Sequence, residues 1–357
     1  MPKKAIVPEI VVSGSFNDMG AKAGAKAKAV VRSYVADAKA RLNASGPGWD
    51  RMVKSARVHV HHAQDYSPDY FDYLQGYAEG SGVPFADLYL LISEDEKGLC
   101  TDVAVNGLAT ADGSVLSAHT EDWRPADRAR VMVLRARPKT GPSFLAATHA
   151  GLEWISGVNS AGLSVTGNSL YMNDARVGFP KMFMAPKILA SKTTSEALAA
   201  ATDPGRGSTY NFNICHSSGE IFSVEGSATD FAIIYGIDGY LVHTNHYLHP
   251  KMARFENVFG PVGSRTTWAA TSTIVRYDRA LKLVRSQHGE VTSETLKSIM
   301  RDHVDRPGSI CRHPDPQSPP HDQSQTNYAV LLDPKGLRME LCLDNPCKGT
   351  FVPFELG

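Results

Sequence analysis

The spacing of apolar positions changes about a quarter of the way along the chain. Residues 16–43 (FNDMGAKAGAKAKAVVRSYVADAKARLN) are rich in Ala, Lys and Arg and repeat with helical spacing. This predicts a long amphipathic helix capped by Asn17 or Asp18. Residues 67–81 predict a second helix ending at Gly80 and Gly82, and PFADLYLLISEDE (84–96) a third, with Pro84 in its first turn. The chain before Cys100 therefore reads as mostly helical. After Cys100 the alternation becomes that of strands. CTDVAVNGLATADGSVLSAHTED predicts two strands around an Asp112-Gly113 turn. VMVLRARP, SFLAATHAG, LEWISGVNSAGLSVTGNSL and YNFNICHSSGEIFSVEG follow, each bounded by Gly, Asn or Pro signals. FAIIYGIDGYLVHTNH predicts a hairpin around Asp238-Gly239, and TNYAVLLDPKGLRMELCL a closing hairpin near Pro334 to Gly336. Helical patches near 184–202 and 266–304 interrupt this β-rich body. Such runs of antiparallel strands with grouped helices imply stacked layers, sheets covered by helices. The segment 313–325 (HPDPQSPPHDQSQ) reads as a surface loop, and no internal repeat or domain break is visible.

Composition narrows the function classes. At 357 residues, 42% of them hydrophobic, the chain can bury a substantial core. Lys+Arg and Asp+Glu balance at 37 each, which argues against nucleic acid or an anionic membrane as the main partner. No run approaches the roughly 18 apolar residues of a membrane span. The opening MPKKAIVPEIVV is broken by Pro8 and Glu9 and does not read as a signal peptide; FVPFELG carries no lipidation or peroxisomal signal. The cysteines, Cys100, Cys215, Cys311, Cys342 and Cys347, are sparse and odd in number. They suit a reduced, cytoplasmic protein. Cys342 and Cys347 have no second pair and no suitably spaced His, so zinc is not expected.

Cys100 is the exception worth pursuing. A free Cys is most often a buried, inert thiol. This one sits at the junction of a helical leader and a β body, is followed by Thr101, and precedes polar residues that fall at strand ends.

Six strings then share an order and rough spacing: GLCTDVAV around Cys100, AHTEDW (118–123), GVNSAGLSVTGNSL (157–170), VEGS (224–227), LVHTNH (241–246) and GSICR (308–312). Together with GSFNDMGAKAG (14–24) they resemble the acyl-coenzyme A:6-aminopenicillanic acid acyltransferase family. That family belongs to the N-terminal nucleophile hydrolases, related to penicillin V acylase and bile salt hydrolase. The resemblance implies an α+β fold, a four-layer αββα sandwich. It also implies a precursor that cuts its own Leu99–Cys100 bond, leaving a helical leader (1–99) and a nucleophile-bearing fragment (100–357) that stay associated as one structural domain. The new α-amino group, with a pKa of about 7.7–8.0, would take the proton from its own thiol. By motif, Asn245 matches an oxyanion-hole asparagine, Asp122 an aspartate that orients the amine and thiol, and Arg312 an arginine near the nucleophile. Thr101, Asn168 and Ser227 are further substrate or oxyanion candidates. This chain departs from the family pattern at Leu99, where Gly is usual, at Ala23, where a His is usual, and in the residue order of AHTEDW.

The expected activity is hydrolysis of a small N-acyl amide through an acyl-Cys100 intermediate, without a cofactor. Acyl transfer to an amine, with acyl-CoA as a donor, is the alternative, although no Gly-rich phosphate cradle is present. A homo-oligomer is compatible with this reading. Three rivals remain. An uncleaved binding protein of the same fold would show no thiol reactivity. Metal catalysis would draw on His59, His61 and His62, or on His303, His313 and His321, none of which has a ligand spacing such as HExxH. A thiol hydrolase that works without cleavage would use His246 as base.

Overall fold

The computed structural model describes residues 6–93, 98–259, 268–319 and 323–357. The leader starts with a strand, β1 (Glu9–Gly14), and continues through α1 (Phe16–Ser45), α2 (Trp49–Ala56), α3 (Val60–Tyr66), α4 (Pro68–Ser81) and α5 (Phe85–Ser93). The cap of α1 is Ser15, ahead of the expected Asn17 or Asp18. Its hydroxyl accepts from the Asp18 N–H, and the Asp18 carboxylate accepts from the Ser15 N–H, both at 3.1 Å. This reciprocal box satisfies two otherwise orphaned donors. The expected tail of the third helix, 94–96, lies outside the described residues.

The glycines of the leader motif have a steric purpose. On α1, Gly20 and Gly24 face the Tyr73 and Tyr77 carbonyls of α4; Gly76 and Gly80 of α4 face those of Asn17 and Ala21. A Cβ at any of the four would come within 2.3 Å of a carbonyl oxygen. Only glycine permits so close a crossing. The tyrosines of α4 then fasten the pair to the sheet beneath: the hydroxyls of Tyr70, Tyr73 and Tyr77 donate to the carbonyls of Leu152, Gly151 and Ala150.

The β body contains β2 (Leu99–Val105), β3 (Leu116–Trp123), β4 (Val131–Pro138), β5 (Phe144–His149), β6 (Ser156–Asn159), β7 (Leu163–Ser169), β8 (Tyr210–His216), β9 (Ile221–Gly226), β10 (Phe231–Tyr235), β11 (Tyr240–His243), β12 (Gln325–Asp333), β13 (Arg338–Leu343) and β14 (Phe351–Glu355). Its helices are α6 (Met184–Leu189), α7 (Thr194–Thr202), α8 (Trp268–Arg285) and α9 (Ser293–Met300). Among the described residues the strands form two sheets, ordered β1-β4-β5-β6-β7-β8-β9-β10 and β11-β2-β3-β12-β13-β14. β1 pairs parallel with β4, Glu9 beside Val133, so the leader is an integral edge of the first sheet and not wholly helical. The expected hairpin at Asp238-Gly239 is corrected. β10 closes the first sheet, while β11 crosses over and pairs with β2 in the second. The turn joins two layers.

Helices cover both outer faces. α1, α4, α6 and α7 bury their apolar sides on the first sheet, with Trp154, Leu163 and Phe212. α8 and α9 cover the second through Ala280, Val284, Leu296 and Ile299 against Val103 and Val105. Between the sheets, Val133, Leu145 and Val158 meet Val330, Leu332 and Leu341. The result is an α+β fold of four layers, an αββα sandwich.

Candidate active site

Cys100 is the second residue of β2 and 2% exposed. Register places Leu99 opposite Asp122, Cys100 opposite Glu121, and Asp102 opposite His119. Residues two apart on a strand share a face. Cys100, Asp102, His119 and Glu121 therefore share the face turned toward the first sheet. The Cys100 thiol donates to Glu121 Oε2 at 3.8 Å and Oε1 at 3.9 Å. His119 bridges the two carboxylates: Nε2 to Glu121 Oε2 and Nδ1 to Asp102 Oδ1, both 3.0 Å. Burial works against a charge on this imidazole, but Asp102 and Glu121 outweigh it and raise its pKa to about 10. His119 is thus a cation donating from both ring nitrogens. Burial first, then the charge of Glu121, pushes the Cys100 thiol well above its ordinary value, so it is neutral in the intact chain.

The backbone of Cys100 is clamped from the other side. Its N–H donates to Asn245 Oδ1 at 2.9 Å. Arg276 donates to the Cys100 carbonyl, to Thr101 Oγ1 at 2.9 Å and to Asn245 Oδ1 at 2.8 Å. Two donors on one oxygen fix the orientation of the Asn245 carboxamide, whose Nδ2 donates to the Ser169 carbonyl at 3.1 Å. Burial, then the neighbouring Arg312, lowers the Arg276 pKa to about 10.

The other expected residues divide. Asp122 accepts from Thr326 Oγ1 at 2.6 Å and from Arg312 Nε at 3.4 Å. Burial raises its pKa although Arg312 and Arg276 oppose this. Arg312 bonds Asp122, and Arg276 is a cation that touches Cys100. Asn168 bonds Asn211 across β7 and β8 at 3.2 Å. Ser227 closes its own turn, accepting from the N–H groups of Thr229 and Asp230, and none of its bonds reaches Cys100. His246 bonds Thr273 at 3.0 Å, and burial lowers its pKa to about 4. Its ring nitrogen also meets Thr244 Oγ1 at 3.3 Å. His59 contacts the Gly178 carbonyl, the His61 and His62 rings meet at a 38° tilt, and His321 lies outside the described residues.

Sequence reasoning missed Glu121, His119 and Arg276. The first two lie inside AHTEDW, where alternation alone puts His119 and Glu121 on one face. Arg276 lies on an ordinary amphipathic helix and carries no such signal.

A cavity of about 20 Å³ adjoins the thiol, lined by Gly98, Glu121, Trp123, Ile155, Ser169 and Tyr210. Gly98 is held there by the Tyr171 hydroxyl, which donates to its carbonyl at 2.6 Å. A cavity of about 460 Å³ between α4, α6 and α7 is far roomier, yet its lining, which includes Tyr66, Lys187 and Asp203, holds no cysteine. Size alone does not mark the site. No helix among the described residues is long and apolar enough to cross a membrane.

The chain is similar to several known proteins. An acyltransferase of Emericella nidulans, the 40 kDa form of acyl-coenzyme A:6-aminopenicillanic-acid-acyltransferase, is 24% identical over 288 residues, which span 78% of this chain and 76% of that one. Among solved structures, a mutant of conjugated bile acid hydrolase from Clostridium perfringens aligns at TM-score 0.48 and 12% identity, over 72% of this chain and 96% of that one. Penicillin V acylase from Agrobacterium tumefaciens aligns at TM-score 0.40 and 15% identity, over 68% and 83%. A family model matches residues 108–348, beginning just after the strand that carries Cys100. By that match, the chain belongs to the acyl-coenzyme A:6-aminopenicillanic acid acyl-transferase family.

Proposed function

We propose that this chain is the precursor of an N-terminal-cysteine amidohydrolase that cuts its own Leu99–Cys100 bond. The observation that carries the reading is the double clamp on one residue. The Cys100 N–H is held by a side-chain oxygen of Asn245, while its thiol lies against the Glu121 carboxylate. In the cleavage step Sγ attacks the Leu99 carbonyl carbon as Glu121 accepts the thiol proton. The C–N bond breaks, the nitrogen takes a proton and becomes the α-amine of Cys100, and Leu99 is left as a thioester. Water hydrolyses the thioester to the Leu99 carboxylate and the free thiol. The Asn245 oxygen that accepted from an amide N–H then accepts from the amine. Because β1 and α1 are built into the first sheet and its cover, the two fragments stay together.

Turnover repeats the chemistry on an external amide. The amine now relays the thiol proton. Arg276 keeps the Cys100 carbonyl and Asn245 in register, and Asp122 with Arg312 supports the strand end behind them. Asn245 Nδ2 gives one N–H to the Ser169 carbonyl and keeps a second for an oxyanion, while its Oδ1 holds the amine. Release of Gly98 and Leu99 opens the cavity beside Trp123, Ile155 and Tyr210, which suits an apolar acyl group. The substrate class is therefore a small N-acyl amide with an apolar acyl part. The fungal relative's name favours a second reading, in which an amine intercepts the acyl-enzyme and acyl-CoA serves as donor.

The test is mass spectrometry of the quenched enzyme with a panel of N-acyl amides and acyl-CoA thioesters, with and without an added amine. The expected result is an acyl adduct on the fragment beginning at Cys100, turned over by water. Product that forms only with the amine makes it a transferase. An adduct on another cysteine, or none with any substrate, overturns the reading.

A further inference from the structure

Around Arg312, four soft donors from three separate stretches meet at one point. His303 follows the end of α9, Cys311 and His313 flank Arg312, and Cys347 stands in the turn between β13 and β14. One ligand atom from each lies within 4.8 Å of all the others. His313 Nε2 is 3.1 Å from His303 Nε2, 3.6 Å from Cys311 Sγ and 3.5 Å from Cys347 Sγ. One ring nitrogen carries at most one proton or one lone pair. It cannot satisfy three partners by hydrogen bonding alone.

These separations are those of a tetrahedron's edges. With Zn–S of about 2.3 Å and Zn–N of about 2.0–2.1 Å, tetrahedral coordination puts S and N about 3.5–3.6 Å apart and two N about 3.3–3.4 Å apart. The two S–N distances agree, and the N–N distance is slightly short of its mark. Two thiolates and two neutral imidazoles would leave a divalent ion with no net charge, which suits a partly buried position. The supporting bonds are also present. Asn345 Nδ2 lies 3.9 Å from Cys311 Sγ and donates to the Arg312 carbonyl at 2.6 Å, and the Cys311 N–H donates to the Asp302 carbonyl at 3.0 Å. Such outer contacts orient ligands and tune thiolates.

We propose that His303, Cys311, His313 and Cys347 form a structural zinc site. It pins the irregular 308–313 segment between the end of α9 and the β13–β14 turn, and so fixes the position from which Arg312 reaches Asp122. Closed Cys₂His₂ coordination leaves no open position, so the metal stabilises and does not catalyse. The sequence concealed this because Cys347 pairs with Cys311, 36 positions away, and not with nearby Cys342.

The full chain, expressed with zinc and purified without chelator, should hold about one zinc per chain by elemental mass spectrometry, the occupancy of a closed site. Cys347→Ser and His303→Ala should each lower this severalfold, whereas Cys342→Ser and Cys100→Ser should not. Cobalt(II) added to the metal-free chain should give thiolate charge-transfer absorption that Cys347→Ser abolishes. Both variant positions are exposed, and the cobalt titration of the wild-type chain is a readout that does not depend on their folding. No zinc and no cobalt spectrum overturns the proposal. So does zinc that persists in Cys347→Ser but is lost in Cys100→Ser, which would place it on Cys100, His119 and Glu121. A Cys311–Cys347 disulfide in the intact mass also overturns it.

Discussion

The space between the two sheets is filled in two opposite ways. At one end it is ordinary core, with Val133, Leu145 and Val158 against Val330, Leu332 and Leu341. At the other, Asp102, His119 and Glu121 lie buried around a thiol. The boundary runs along the pairing of β3 with β12: Tyr328 stands opposite Glu121, and Val330 opposite His119. The apolar end is what packing alone selects. The polar end is costly, because desolvating charges is only partly offset by their attraction. A buried carboxylate–imidazolium–carboxylate chain ending at a thiol is therefore better explained by chemistry than by stability. The two ends should fail differently when perturbed.

The largest effect is expected at the polar end. Glu121→Gln removes the carboxylate that lies against the thiol and should slow self-cleavage by roughly 10²–10⁴-fold, the usual range for a general base. Time-resolved gel analysis of freshly refolded chain measures this. Unchanged kinetics would assign the base elsewhere. In the apolar end, Leu332→Ala should cost about 2–5 kcal/mol of stability, as large-to-small core changes do. Cleavage should still go to completion. A chain that keeps its melting temperature but loses cleavage would reverse the comparison.

Asn245→Ala should slow both cleavage and turnover by about 10²-fold, through a misplaced Cys100 backbone. Paired rate measurements check this; loss of turnover with normal cleavage would instead favour the oxyanion role. The smallest effect is in pH dependence. The folded pKa of His119, about 10, lies above its unfolded value, near 6.5. Its contribution to stability is fully present below about pH 6.5 and is lost as pH rises toward 10. Denaturant melts of Cys100→Ala should show this loss, and the same melts with His119→Gln added should show less of it. Stability that grows over that window in the Cys100→Ala chain contradicts a cationic His119.

Alternating apolar residues and turn signals made most of the β body legible, as did the helical spacing of α1 and α4. β1 was hidden because it is six residues long and follows Pro8, so its partner β4 gives it meaning. The β10–β11 turn has the residues of a hairpin, and local chemistry cannot say that its two strands belong to different layers. In the site, Cys100 and Asn245 meet as a bonded pair, while Asp122 and Arg312 form a supporting pair behind them. Glu121 and His119 were written in AHTEDW but required knowing which face of β3 points at the thiol. Arg276 and the His303–Cys347 cluster depend on contacts across many positions, which no local pattern encodes.

Intact mass of the purified wild-type chain tests the central claim most directly. The account predicts two species, residues 1–99 and 100–357, that separate only on denaturation, the second beginning with an unblocked Cys100, and a single chain in Cys100→Ala. A wild-type chain that remains one species after prolonged incubation would contradict self-processing, and with it the amine-assisted nucleophile.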